Sequence, residues 1–251
     1  MDLGLDGRVY VLTGASRGLG FATAAALVAD GARVVVSARD ADTVKNAVER
    51  LGPLAHGLAA DLGDPGAAQT LVDAATTRFG RIDGALLSVG GPRPGTSLEI
   101  TDEQWRQSFE TIFVGAVRAA RTVAAALGEG GAIAFVASSS VKTPIKGLGL
   151  SNGLRPGLAM VAKEMADELG PRGIRVLSLL PGRFLTDRLR GLFDSADDPA
   201  REEADSAKNI PLRRIGKPEE FGRAAAFALS PAAGFMTGIA LPIDGGATRT
   251  L

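Results

Sequence analysis

The stretch VYVLTGASRGLG, Val9 to Gly20, joins a short apolar, β-branched run to a glycine-spaced turn and then to the helical pattern FATAAALVAD. Glycines at positions 14, 18 and 20 let the chain turn tightly, approach a pyrophosphate and pack the next helix closely on a sheet. Such a helix presents its N-terminal amides to the phosphates. A glycine pattern alone is weak evidence. One that follows a strand and opens a helix stands in the context that gives it meaning.

Working outward, short apolar runs alternate with Ala-rich helical stretches. The expected strands are VYVLT (9–13), RVVVS (33–37), a weaker LAHGLAA (54–60), GALLSV (84–89), AIAFVA (132–137), IRVLSLL (174–180) and IALPI (239–243). The longest helical pattern is TDEQWRQSFETIFVGAVRAARTVAAAL. Strands alternating with helices imply right-handed βαβ crossovers and a parallel sheet covered on both faces. The fold class is therefore α/β: one Rossmann-type, doubly wound domain over residues 1–251, with about seven strands and helices on both faces. Neither an internal repeat nor a Pro/Ser linker divides it. The charged stretch 186–209, TDRLRGLFDSADDPAREEADSAKN, breaks the rhythm after the sixth strand and is read as a substrate flap. Open α/β sheets bind ligands beyond the carboxyl ends of their strands.

Composition excludes several function classes. Lys plus Arg and Asp plus Glu each number 28, so no electrostatic footprint for nucleic acid or a membrane surface is expected. With no cysteine, disulfides, thiolate catalysis and cysteine–metal sites are excluded, and no metal site is expected. The N-terminal residues lack the pattern of a signal peptide, and no apolar run is long enough to span a bilayer. The expectation is a soluble, cytoplasmic protein acting on a small-molecule substrate.

The end of the second strand bears on which dinucleotide is bound. A cofactor lacking a 2′-phosphate is usually held there by an acid on the ribose hydroxyl. Here the strand ends Ser37-Ala38-Arg39, with a small neutral residue where that acid is expected. Arg39 follows it, and Arg17 lies in the glycine loop on the other side. Two guanidiniums and no carboxylate favour a 2′-phosphate, hence NADP(H). Asp40 is the competing residue, since a shift of one position would restore a carboxylate.

These motifs together resemble the short-chain dehydrogenase/reductase superfamily, and within it the 3-oxoacyl-carrier-protein-reductase-like members. The resemblance covers nearly the whole chain, from TGASRGLG to IPLRRIGKPEEFGRAAAFALSPAAGFMTGIALPIDGG. It implies cofactor contacts from Gly14, Ser16, Arg17, Gly18, Leu19 and Gly20, and from Arg39. Asp61 and Leu62 match the pair at the adenine ring. Gly90 falls in the altered motif Leu87-Ser88-Val89-Gly90, and Pro181, Gly182 and Thr186 match the segment beside the nicotinamide. It also implies a homotetramer, with a dimer as the fallback.

The family's catalytic tetrad does not carry over. Its asparagine position falls on Ile112. Its serine falls on Ser138, with Ser139 as the fallback. Its tyrosine becomes Ser151 and its lysine Arg155. Tyr10, inside the first strand, is the only tyrosine in the chain. In the family the tyrosine exchanges a proton with the substrate oxygen, its pKa lowered by the neighbouring cation. A serine cannot take that part unaided, and arginine stays charged. Arg155 can still hold ribose hydroxyls and stabilise developing negative charge, with Ser138 and Ser151 as hydrogen-bonding partners of the substrate oxygen. Lys142 and Lys146 follow the serines as possible proton sources. His56 is read as structural or solvated. The expected function is an NADP(H)-dependent oxidoreductase with an altered site, moving hydride to or from a carbonyl, enone, quinone-like or iminium substrate. The alternatives are a non-catalytic NADP(H)-binding partner or sensor, and a dehydratase, isomerase or cyclase using the same pocket.

Overall fold

The computed structural model describes residues 2–250. In chain order the elements are β1 Val9–Leu12, α1 Gly18–Ala29, β2 Arg33–Ala38, α2 Ala41–Leu51, β3 Ala55–Ala59, α3 Ala67–Phe79 and β4 Gly84–Leu87. Then come α4 Asp102–Ser108, a π-helical turn Phe109–Val114, α5 Gly115–Ala126, β5 Ala132–Val136, α6 Gly149–Leu169 and β6 Arg175–Pro181. The chain closes with α7 Asp187–Asp194, α8 Pro199–Lys208, α9 Pro218–Leu229 and β7 Ala240–Ile243. The strands form one 7-stranded sheet in the order β3-β2-β1-β4-β5-β6-β7, and every pairing is parallel. Each expected strand is present.

Period-two alternation along the strands divides the core into two layers. Val9, Val11, Val35, Ile133, Phe135 and Val176 face one way, against residues of α3, α5 and α6. Tyr10, Leu12, Val34, Val36, Val136 and Leu179 face the other way, against α1 and α9. Each such side chain buried in full contributes about 1.5–3 kcal/mol relative to exposure. That is why continuous apolar runs, and not alternating ones, mark these strands. Tyr10 lies in the second layer, where Gly84 leaves it room: a Cβ there would sit 2.9 Å from the Tyr10 ring. Burial pushes its phenol up to about 12. Its pairing with Val34 and Gly84 puts it inside β1, before the strand's carboxyl end.

One reading of the sequence needs correction. The pattern 101–127 reads as one helix, but it is split into α4, the π turn and α5. A capping box between Thr101 and Gln104 fixes its start. In the wider turn Ile112 is buried, while Phe109 and Phe113 stack with ring centroids 5.1 Å apart. Hydropathy spacing does not register the one extra residue that a π turn inserts. The weakly periodic stretch 186–209 contains two helices, α7 and α8, with Asp198 capping the second. Buried Phe193 pins the first.

Candidate functional site

Strand order reverses between β1 and β4, and the carboxyl ends of these strands open a crevice there. The two ends are tied together. Thr13 Oγ1 donates to the Ser88 carbonyl at 2.9 Å, and the Ser88 amide donates back to Thr13 Oγ1 at 2.9 Å. Gly14 has φ +57°, and a Cβ on it would lie 2.6 Å from the Ser88 carbonyl oxygen. Only glycine fits that turn. Arg17 immediately precedes α1 in extended backbone, so Gly18, Leu19 and Gly20 form the helix's first turn. A Cβ on Gly18 would be 3.5 Å from the Thr186 methyl, so the segment after β6 closes over the glycine loop. Ser16 precedes Arg17 in the same loop.

Along the same edge, Arg39 is exposed just beyond β2. Asp40 is turned away to cap α2: its carboxylate accepts from the Thr43 amide at 2.8 Å. That bond, with a second from the Thr43 hydroxyl, holds its carboxyl below the usual aspartate range. Asp61 lies exposed past β3, while Leu62 is buried in the first core layer. Gly90 follows β4. Pro181 ends β6, and Gly182 leads to Thr186, which stands before α7.

The candidate catalytic residues lie after β5 and in α6. Ser138 caps the short turn Ser139–Val141 by accepting from the Ser140 amide at 3.1 Å. Its hydroxyl hydrogen remains available to another acceptor. Ser151 meets neither Ser138 nor Ser139. Its hydroxyl lies 3.0 Å from that of Ser140, and both residues are buried. Arg155 is only 5 % exposed. Its Nη1 donates to the Val136 carbonyl, and Nη2 donates to Gly90 at 3.0 Å and Val89 at 3.4 Å. Nε is buried without a partner. Among the described residues no carboxylate pairs with this cation, and desolvation pushes its pKa down to about 10. Arg155 thus bridges the ends of β4 and β5, with Nε left as a buried donor lacking a partner. Lys142 and Lys146 are both exposed, Ile112 is buried in the π turn, and His56 sits within β3.

Sequence reading missed three residues here. Ser140 was visible only as the third serine of a run. Asn152 clamps the loop before α6, accepting from the Ile145 amide and donating to its carbonyl, each at 2.9 Å. Arg188 in α7 donates to the Pro92 carbonyl at 3.2 Å. None of these contacts has a local sequence signal. A groove of about 780 Å³ starts at Arg17, Gly18 and Thr186 but runs along α1 and α9, away from the serines.

Comparison with known proteins gives a consistent picture. The family described as enoyl-(acyl carrier protein) reductase matches residues 14–248. An oxidoreductase of Methylorubrum extorquens is 33% identical over 246 residues, 96% of this chain and 98% of the relative. L-sorbose reductase from Gluconobacter frateurii, solved with NADPH and L-sorbose, superposes with a TM-score of 0.94 at 30% identity, covering 100% of both chains. A short-chain oxidoreductase from Pseudomonas aeruginosa PAO1, described as containing an atypical catalytic center, superposes with a TM-score of 0.92 at 28% identity. That match covers 97% of this chain and 98% of the other.

Proposed function

The chain belongs to the short-chain dehydrogenase/reductase family of oxidoreductases, and from that premise we propose that it is an NADP(H)-dependent enzyme with an altered catalytic tetrad. It moves hydride to or from a small-molecule carbonyl, enone, quinone-like or iminium substrate. The observation that carries this reading is the buried Arg155 guanidinium, free of any carboxylate among the described residues and set beside the Ser138 turn and the Ser140–Ser151 pair.

The crevice fits the cofactor. Gly14 clears the turn, the first amides of α1 open onto it, and Asp40 is spent on capping α2. Arg17 and Arg39 are left to meet a 2′-phosphate. The relative from G. frateurii, solved with NADPH, supports the same choice. The bound cofactor supplies the hydride; the residues of the chain do the rest. Arg155 uses its spare donors on the nicotinamide ribose and on the substrate oxygen, and Ser138 offers its hydroxyl hydrogen to that oxygen. As the carbon–hydride bond forms on an enone, the electron pair moves to the oxygen. A preorganised cation in a dry site stabilises it there. Water then supplies the proton to the released enolate. An ordinary ketone needs its proton at once, and no group in the site is suited to give it.

The test is steady-state NADPH consumption with paired substrates, 2-cyclohexenone against cyclohexanone. The enone is expected to turn over and the saturated ketone to lag at least tenfold behind. NADPH that binds without being consumed would favour a cofactor-holding partner or sensor. Conversion of a substrate without net consumption would favour a dehydratase, isomerase or cyclase. The working unit is proposed to be a homotetramer, with a dimer as the fallback, from the apolar faces around the π turn and α6.

A further inference from the structure

Two guanidiniums hold opposite ends of one short segment. Arg155 grips Val89 and Gly90 from the α6 side. Arg188, in the first turn of α7, lies against Gly91 so closely that a Cβ there would be 1.7 Å from Nη1. Its Nη2 donates to the Pro92 carbonyl at 3.2 Å. In the sheet β5 lies between β4 and β6. Thr186, two residues before Arg188, lies on Gly18, so Arg188 reaches Gly91 and Pro92 from over the crevice between β1 and β4. Arg188 thus closes over the crevice beside the segment that Arg155 holds.

We propose that Arg188 recognises a carboxylate on the substrate, so that the hydride acceptor is a small carbonyl or enone acid. This rests on the hydride-transfer reading above and narrows it. The contact to Pro92 is to a neutral carbonyl, from an exposed side chain, and so is readily exchanged. A carboxylate accepts two parallel bonds from the same fork, each roughly twice as strong as a neutral one. Arg155 and Arg188 both lack an ion-pair partner among the described residues. Two uncompensated cations beside one crevice raise the local concentration of anions and repel cations. Within the proposed substrate classes this favours an anionic enone or oxo acid and disfavours an iminium.

The binding probe is 4-oxopentanoate against its methyl ester, titrated by calorimetry into the NADP⁺ complex. The reactive pair is 4-oxopent-2-enoate and its methyl ester, followed by NADPH consumption. The acid is expected to bind at least tenfold more tightly than the ester. Arg188→Met should erase that preference, Arg188→Lys should restore part of it, and NADPH affinity should stay within twofold throughout. Equal binding of acid and ester, or a preference that survives Arg188→Met, overturns the assignment. So does a tenfold loss of NADPH affinity in Arg188→Met, which would place the arginine on the cofactor phosphates. If neither reactive compound consumes NADPH while the 4-oxopentanoate preference holds and is lost in Arg188→Met, the anion site stands and the hydride reading fails.

Discussion

The hydroxyls of Ser140 and Ser151 stand 3.0 Å apart, both buried, between the turn after β5 and the first turn of α6. Ser140 Oγ also reaches the Ser151 carbonyl, at 3.4 Å. A tyrosine ring at 151 has no room unless Ser140 moves. Ser151→Tyr should therefore destabilise the fold by about 1–3 kcal/mol, the usual cost of overpacking, and lower native activity. Ser140→Gly added to it should recover part of that loss. Urea unfolding of the single and double variants checks this. An unchanged midpoint for Ser151→Tyr would mean that the pocket is open.

Cofactor choice is tested at the end of β2. Arg39→Ala should weaken NADPH at least tenfold and leave NADH within about twofold, since a charge-assisted contact to a phosphate contributes about 1.5–3 kcal/mol. Asp40→Ala removes the cap from α2 and should lower thermal stability without changing the NADPH-to-NADH ratio. Calorimetry with both cofactors decides the matter. A ratio that moves with Asp40 and not with Arg39 would reverse the assignment.

The sheet was legible because each strand is a short β-branched run with a glycine or charge boundary, and parallel strands covered on both faces cannot be anything else. The glycine loop was legible because its spacing answers a local steric need, seen in the 2.6 Å approach at Gly14. Placement of Ser138 and Arg155 at the ends of β5 and in α6 followed from the flanking motifs. The contacts of the site were not legible. Ser140 meets Ser151 through a turn between strand and helix, and Arg188, after β6, meets Gly91, after β4. Neither leaves a periodic trace. The π turn was hidden for the same reason that it forms: one extra residue changes the helix without changing its hydropathy.

Assembly should depend on the face around the π turn and α6. Phe109 is 46% and Met160 69% exposed, and Phe113 stacks on Phe109 while lying over Gly157 of α6. Large apolar side chains clustered at such exposure mark an interaction surface. Light scattering at micromolar concentration should show a tetramer. Phe109→Asp with Met160→Glu should reduce it to dimers or monomers while leaving NADPH binding intact. A wild-type monomer contradicts this.

The pH profile tests the proposed role of Arg155 most directly. In the proposed mechanism Arg155 is the group whose charge stabilises the substrate oxygen, and desolvation by burial pushes its pKa down to about 10. The charged form is the active one, so its contribution is complete below that value and lost as pH rises through it. The serines do not ionise near neutrality, and Lys142 and Lys146 point into solvent. kcat/KM should therefore stay level from about pH 6 to about pH 9 and fall on an alkaline limb near 10. Arg155→Met should be about 10²–10³-fold slower, as for loss of one oxyanion donor, and its alkaline limb should vanish. Because the proposed mechanism also puts Arg155 on the ribose, the apparent NADPH dissociation constant of Arg155→Met should rise as well. Arg155→Lys should retain more cofactor affinity than Arg155→Met, since the charge survives while the fork to Val136 and Gly90 is lost. A wild-type limb between about pH 6 and about pH 8 would reveal a titrating proton donor in the site and defeat the delayed-protonation scheme.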